Sequence, residues 1–199
     1  MAASVKVLGI FGSPRKGGNT ELLLEEALKG AAQEGAQVER IHLGDLHVLP
    51  CKECHGCDRT GQCIVQDDMQ VITPRLMEAD IIILASPIFF YGITGWAKAL
   101  VDRSQAVWVR KYLLKDPSLS KEVKKRKGFF ISVGATKGQK LFEGAILTVK
   151  YFFDAIHAEY AGDLLIRGLD AKGDVLKQPD ALQQAFEAGK KLVLSQRGS

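Results

Sequence analysis

Five consecutive apolar residues, Ile81-Ile-Ile-Leu-Ala85, leave room for little but a strand buried on both faces. Such a strand needs a layer on each side of its sheet, which points to an α/β domain with a mainly parallel sheet. Similar runs surround it. Ser4 to Phe11 is short, β-branched and nearly continuously apolar, Phe129 to Val133 repeats the pattern, and Gln37 to Leu43 and Glu159 to Ile166 offer two more strands. Between them lie helical spacings. Leu22, Leu23, Leu24, Ala27, Leu28 and Ala31 form one, with Glu21, Glu25 and Glu26 early and Gly35 as a stop. Thr94 to Leu114 reads as a second helix through Trp96, Ala97, Leu100, Val101 and Val107, with Lys98 and Asp102 one turn apart. Leu141 to Ile156 and Pro179 to Leu194 complete the series.

Composition narrows the class. With 46% hydrophobic residues in 199, the chain can bury one sizeable core, and at ~150 residues per domain residues 1–199 are read as a single domain. A 25% charged content with net +4 excludes a disordered chain and points to no nucleic-acid partner. The longest apolar run, Ile81 to Ile93, is broken by Ser86, Pro87 and Gly92 and falls short of the ~20 residues a bilayer span needs. Met1 to Lys6 lacks the basic region, apolar stretch and cleavage site of a secretory signal, so a cytoplasmic location is expected. The basic run Lys121 to Lys127 is read as a solvated approach to the fourth strand.

In a parallel α/β domain, ligands bind beyond the carboxyl ends of the strands. The loops after Phe11, Ala85 and Val133 should therefore share one edge. The first, Gly12-Ser-Pro-Arg-Lys-Gly-Gly-Asn-Thr20, opens a helix. Helix N-termini present free N–H groups, so Ser13, Arg15, Gly18, Asn19 and Thr20 are candidates to hold a phosphate, with an ordinary helix cap at Asn19 or Thr20 as the bland alternative. The loop is not a P-loop, since Gly18-Asn19 stands where Lys-Ser/Thr is required, and it contains no Gly-x-Gly-x-x-Gly. The second loop, Ser86, Pro87, Ile88, Phe89, Phe90 and Tyr91, offers a surface suited to a flat ring, unless its aromatics are simply core. The third runs through Gly134, Ala135 and Thr136, whose backbone N–H groups are expected to reach the ring's polar edge. One phosphate, a polyol and a planar tricycle make FMN the matching ligand.

All four cysteines fall between residues 51 and 63 as Cys51-x2-Cys54-x2-Cys57-x5-Cys63, within a loop at 50–65. In a reducing compartment such a cluster binds metal or does redox work more often than it forms a disulfide framework. Three closely spaced thiols match the run used by ferredoxin-type clusters, with the fourth set two residues wider and no Pro after it. A [4Fe-4S] cluster is the preferred reading, and zinc or uncoordinated cysteines remain open. His55 reads as a bystander and His157 as a cap or surface residue. No hydrolytic machinery is apparent: Ser13, Ser86 and Ser132 lack a nucleophile elbow, and His42, His47, His55 and His157 have no metal-ligand spacing. No side chain is singled out as catalytic.

Gly12 to Thr20, Asp67-Asp68-Met69, Ala79 to Pro87, and Lys98 through Asp102-Arg103 resemble the NAD(P)H-dependent FMN reductases of the flavodoxin-like fold, and the cysteine motif resembles their iron-sulfur flavoprotein branch. The resemblance implies a three-layer α/β/α domain with a five-stranded parallel sheet of order 2-1-3-4-5, FMN at the strand ends and a homodimer or homotetramer. It also implies an FMN-dependent oxidoreductase that takes electrons from ferredoxin or NAD(P)H, couples the cluster to FMN and reduces a small acceptor such as oxygen, peroxide or a quinone. The alternatives are a plain NAD(P)H-dependent FMN reductase without a cluster, a non-catalytic electron carrier, or a regulatory module that does not redox-cycle.

Overall fold

The computed structural model describes residues 4–120, 123 and 126–198. Five strands, β1 (Lys6–Phe11), β2 (Gln37–His42), β3 (Ile81–Ala85), β4 (Arg126–Gly134) and β5 (Ala158–Arg167), form one parallel sheet of order β2-β1-β3-β4-β5. This is the order the resemblance implies. The helices are α1 (Asn19–Gln33), α2 (Met69–Glu78), α3 (Gly95–Arg103), α4 (Gln105–Tyr112), α5 (Glu143–Ala155) and α6 (Pro179–Arg197).

The two-residue period of the strands divides the core. Leu8, Ile10, Ile82, Leu84 and Phe130 face the layer that includes residues of α2, α3 and α5, while Val7, Phe11, Ile81, Ile83, Phe129 and Ile131 face α1 and α6. Central β1, β3 and β4 are therefore buried along nearly their whole length, whereas edge strand β2 is mostly exposed or half-buried.

Two readings are corrected, one helix is added, and one reading falls mostly outside the described residues. The span Thr94 to Leu114 forms two helices that meet at buried Ser104, whose N–H bonds both Leu100 O and Val101 O at 3.1 Å and whose hydroxyl turns back to Leu100 O at 3.0 Å, a bond that favours a bend. Residues 69–78, which carried no helix reading, form α2. His157 is buried rather than on the surface: it follows α5 at φ +58° with its N–H bonded to Asp154 O and Nε2 at 3.1 Å from Val123 O. Of the basic run, residues 121, 122, 124 and 125 lie outside the described residues, and Arg126 is half-buried, donating to Met77 O and Ile156 O.

Candidate functional site

Phe11, Ala85 and Ile131 stand in register across β1, β3 and β4, so the three loops leave the sheet at one edge. Buried hydroxyls tie them together. Thr94 caps α3 by accepting from Ala97 N at 3.2 Å and donates to Gly12 O at 2.6 Å. Ser86 Oγ accepts from Thr94 N at 3.0 Å, and Ser132 donates to Ser86 O at 2.7 Å. Each satisfies a backbone group that burial would otherwise strand.

In the first loop Ser13 Oγ accepts from Arg15 N at 3.1 Å, and Gly17 takes φ +67° before the helix begins. Gly18 occupies the N-cap position in an extended conformation and brings no side chain, so no side chain caps the first-turn amides of α1. A Cβ on Gly18 would come within 2.9 Å of Arg15 O. The bland capping alternative is thus excluded for Asn19 and Thr20. The Asn19 side chain is instead committed elsewhere: Nδ2 donates to Ala171 O at 3.0 Å and Oδ1 accepts from Val175 N at 3.1 Å. Arg15 reaches the same segment, donating to Asp170 O at 3.0 Å. Lys172 overlies Gly17, whose Cβ position lies 3.2 Å from Lys172 Cε.

One cavity of about 100 Å³ is lined by Ser13, Arg15, Gly18, Asn19, Thr20, Pro87, Ile88, Phe89, Gly134 and Ala135. Ser86 lies buried below, while Phe90, Tyr91 and Thr136 stand outside its wall. Leu169, Asp170 and Lys172 also line it, and sequence reasoning missed all three. Phe89, Phe90 and Tyr91 are not core: they are 49%, 106% and 57% exposed on a hairpin closed by the Phe89–Gly92 bridge. Phe90 and Tyr91 both sit at positive φ, 48° and 61°, the conformation of a tight turn that Asn-Gly normally fills.

The cysteines line a second cavity, of about 720 Å³. Their loop turns through positive φ at Glu53, His55 and Gly61, and His55 is exposed with its ring 3.0 Å from Asp58. Cys51, Cys54, Cys57 and Cys63 all reach this cavity, with Arg103, Trp108 and Tyr112 on its other walls. Among the described residues no three Cys, His, Asp or Glu side chains converge on one metal-ligating point. The four thiols thus share one cavity and have the donor chemistry a cluster uses, without converging on a single point. Burial pushes the Cys57 thiol up, as do the neighbouring Asp58, Cys63 and Cys51 charges.

Under this cavity Arg103 and Asp67 form an ion pair with both side chains 0% exposed. Burial opposes the Asp67 carboxylate, but hydrogen bonds from Arg103, Leu49 N and Met69 N outweigh it and hold its pKa below the ordinary value. Burial likewise opposes the Arg103 charge, and Asp67 and Cys63 outweigh it upward.

Residues 5–157 match the NADPH-dependent FMN reductase family. The iron-sulfur flavoprotein MJ1083 of Methanocaldococcus jannaschii is 35% identical over 95% of this chain and 96% of its own length. An iron-sulfur flavoprotein of Methanosarcina thermophila is 31% identical over 77% and 73%. A solved flavone reductase superposes with TM-score 0.71 at 21% identity, covering 97% of this chain and 63% of that one, and this likeness bears on the fold. No helix among the described residues is long and apolar enough to cross a membrane.

Proposed function

The chain belongs to the NADPH-dependent FMN reductase family of FMN-containing oxidoreductases, and from that premise we propose a two-centre flavoprotein: one domain with FMN at the strand edge and a [4Fe-4S] cluster held by Cys51, Cys54, Cys57 and Cys63. The observation that carries this reading is the separation of two chemistries into two cavities, an uncapped helix start with cationic Arg15 and Lys172 in one and four thiols in the other.

The first-turn N–H groups of α1 and the Ser13 and Thr20 hydroxyls would hold the FMN phosphate, with Arg15 and Lys172 as counter-charges. Asn19 contributes its backbone N–H and fixes the 170–175 segment over the loop. A cavity of about 100 Å³ is far below the ~300–1,000 Å³ of sites that engulf a ligand, so it takes the phosphate end and leaves the ring against Pro87 to Tyr91. Pro87 has no N–H and those of Ile88 and Phe89 donate to Val133 O and Gly92 O, so the backbone N–H groups of Phe90, Tyr91 and residues 134–136 are the ones that would reach the ring's polar edge. The cluster supplies one-electron exchange beside a flavin able to exchange one or two. Electrons enter from ferredoxin or NAD(P)H and leave to a small acceptor such as oxygen, peroxide or a quinone. The names of the two iron-sulfur relatives support the cluster, and the common thiol cavity favours it over a plain FMN reductase or a non-redox module.

Anaerobic reconstitution of the full chain with iron, sulfide and FMN tests the reading. Broad visible absorption and a paramagnetic signal on reduction are expected, and Cys57→Ser should lose both while retaining FMN. Uptake of zinc alone, or of no metal, leaves a plain FMN reductase. Fast reduction by ferredoxin with no turnover of small acceptors identifies an electron carrier instead.

A further inference from the structure

The cysteine loop is closed at its base by one side chain. Arg103, at the last position of α3, donates from Nη1 to Leu49 O at 2.9 Å and from Nη2 to Val65 O at 3.3 Å, so a single guanidinium grips the chain on both sides of Cys51 to Cys63. Asp67 locks that guanidinium from below through both carboxylate oxygens, at 2.5 and 3.0 Å, and accepts from Leu49 N at 2.9 Å and Met69 N at 3.0 Å. A bidentate fork of this kind fixes orientation as well as charge. One donor is left over. Arg103 Nε is buried and has no hydrogen-bond partner among the described residues, while Arg103 lines the same cavity as all four thiols. A buried, unpaired N–H on a cation is costly unless something anionic meets it.

We propose that Arg103 is the positioning residue of the cysteine centre, gripping Leu49 O and Val65 O to set the loop's span and placing its charge and free Nε beside the thiolate donors. This inference rests on the cluster reading above. A cluster held by four thiolates is anionic, and its potential depends on nearby charge, on hydrogen bonds to its sulfurs and on exposure. A fixed cation therefore favours the reduced form, and the two carbonyl bonds keep the donors from drifting apart.

The test uses full-length protein reconstituted anaerobically with iron, sulfide and FMN, in wild type, Arg103→Lys and the double variant Arg103→Gln/Asp67→Asn. The double change removes both charges together, so no carboxylate is left buried alone. FMN content reports whether the α/β body has folded. Arg103→Lys keeps the charge but lacks the fork, so its cluster should hold a near-wild-type potential and be lost to a chelator about tenfold faster. The double variant should bind FMN at an unchanged flavin potential and show its cluster potential shifted downward. If the double variant loses FMN as well, the chelator rate of Arg103→Lys decides alone. Wild-type cluster lifetime and potential in every variant that retains FMN overturn the inference. A wild type that takes up no cluster overturns the two-centre reading itself, and this inference with it.

Discussion

Phe90 and Tyr91 show a residue-scale conflict between local preference and position. Bulky side chains at positive φ cost on the order of 1–3 kcal/mol each, and such strain persists where the surroundings hold it in place. Here the strain accompanies exposure, with two aromatic rings displayed at the strand edge instead of the Asn-Gly that suits the turn. Replacing them together, Phe90→Asn with Tyr91→Gly, should raise unfolding stability by about 1–2 kcal/mol. The same change should weaken FMN binding about tenfold through lost ring contact. Thermal melts and flavin-fluorescence titration read the two effects, and an unchanged FMN affinity would detach this hairpin from the flavin. The aromatics were visible in the sequence as a ring surface, but their strain was not, because φ follows from the Phe89–Gly92 closure rather than from residue type. Asn19 was half legible: its place at the helix start was correct, yet its side chain serves Ala171 and Val175. Nothing local to Asn19 announces partners more than 150 residues away.

At the scale of elements, legibility followed burial. β1, β3 and β4 were plain because both faces are covered, which leaves a continuous apolar run. Helix α2 was missed because Pro74 lies inside it, where proline normally ends a helix. The break between α3 and α4 falls at buried Ser104, inside an apolar repeat that continues across it, so helical periodicity does not register it. The α1–α6 pair hides a further constraint. A Cβ on Gly189 would sit 1.8 Å from Ala27 O, and one on Gly30 would sit 2.0 Å from Phe186 O. Both obstacles are backbone, so the helices must separate if either glycine gains a side chain. At an ordinary helical position Gly→Ala is favourable by about 1 kcal/mol. Here overpacking should exceed that gain, and Gly189→Ala is expected to destabilise by about 3 kcal/mol, lowering Tm by about 6–12 °C. A differential scan decides it, since a stabilised variant would mean that α1 and α6 do not meet at this distance.

Over the whole molecule, charge is mostly a surface matter, and among the described residues the other ion pairs keep at least one partner partly exposed. Exposed pairs of that kind contribute little. Asp67–Arg103 differs because both side chains are sealed between α3, the cysteine loop and the start of α2, so the pair joins parts of the chain that share no strand. Its linkage has a definite sign. The Asp67 pKa is lowered in the folded state, so at a pH between the folded and unfolded values the unfolded chain binds more protons and stability rises with pH. The contribution is complete above the ordinary carboxylate value of 3.8 and is lost as pH falls through the folded value. Arg103 stays charged throughout this range, so protonation of Asp67 leaves a buried cation without its counter-ion. The metal-free protein should accordingly hold its stability from neutral pH to just above 4 and lose it steeply below. Asp67→Asn should cost about 3–5 kcal/mol at neutral pH and flatten that acid limb. Urea melts at a series of pH values measure both slopes. An Asp67→Asn limb as steep as that of the wild type would place the acid sensitivity in the surface carboxylates instead.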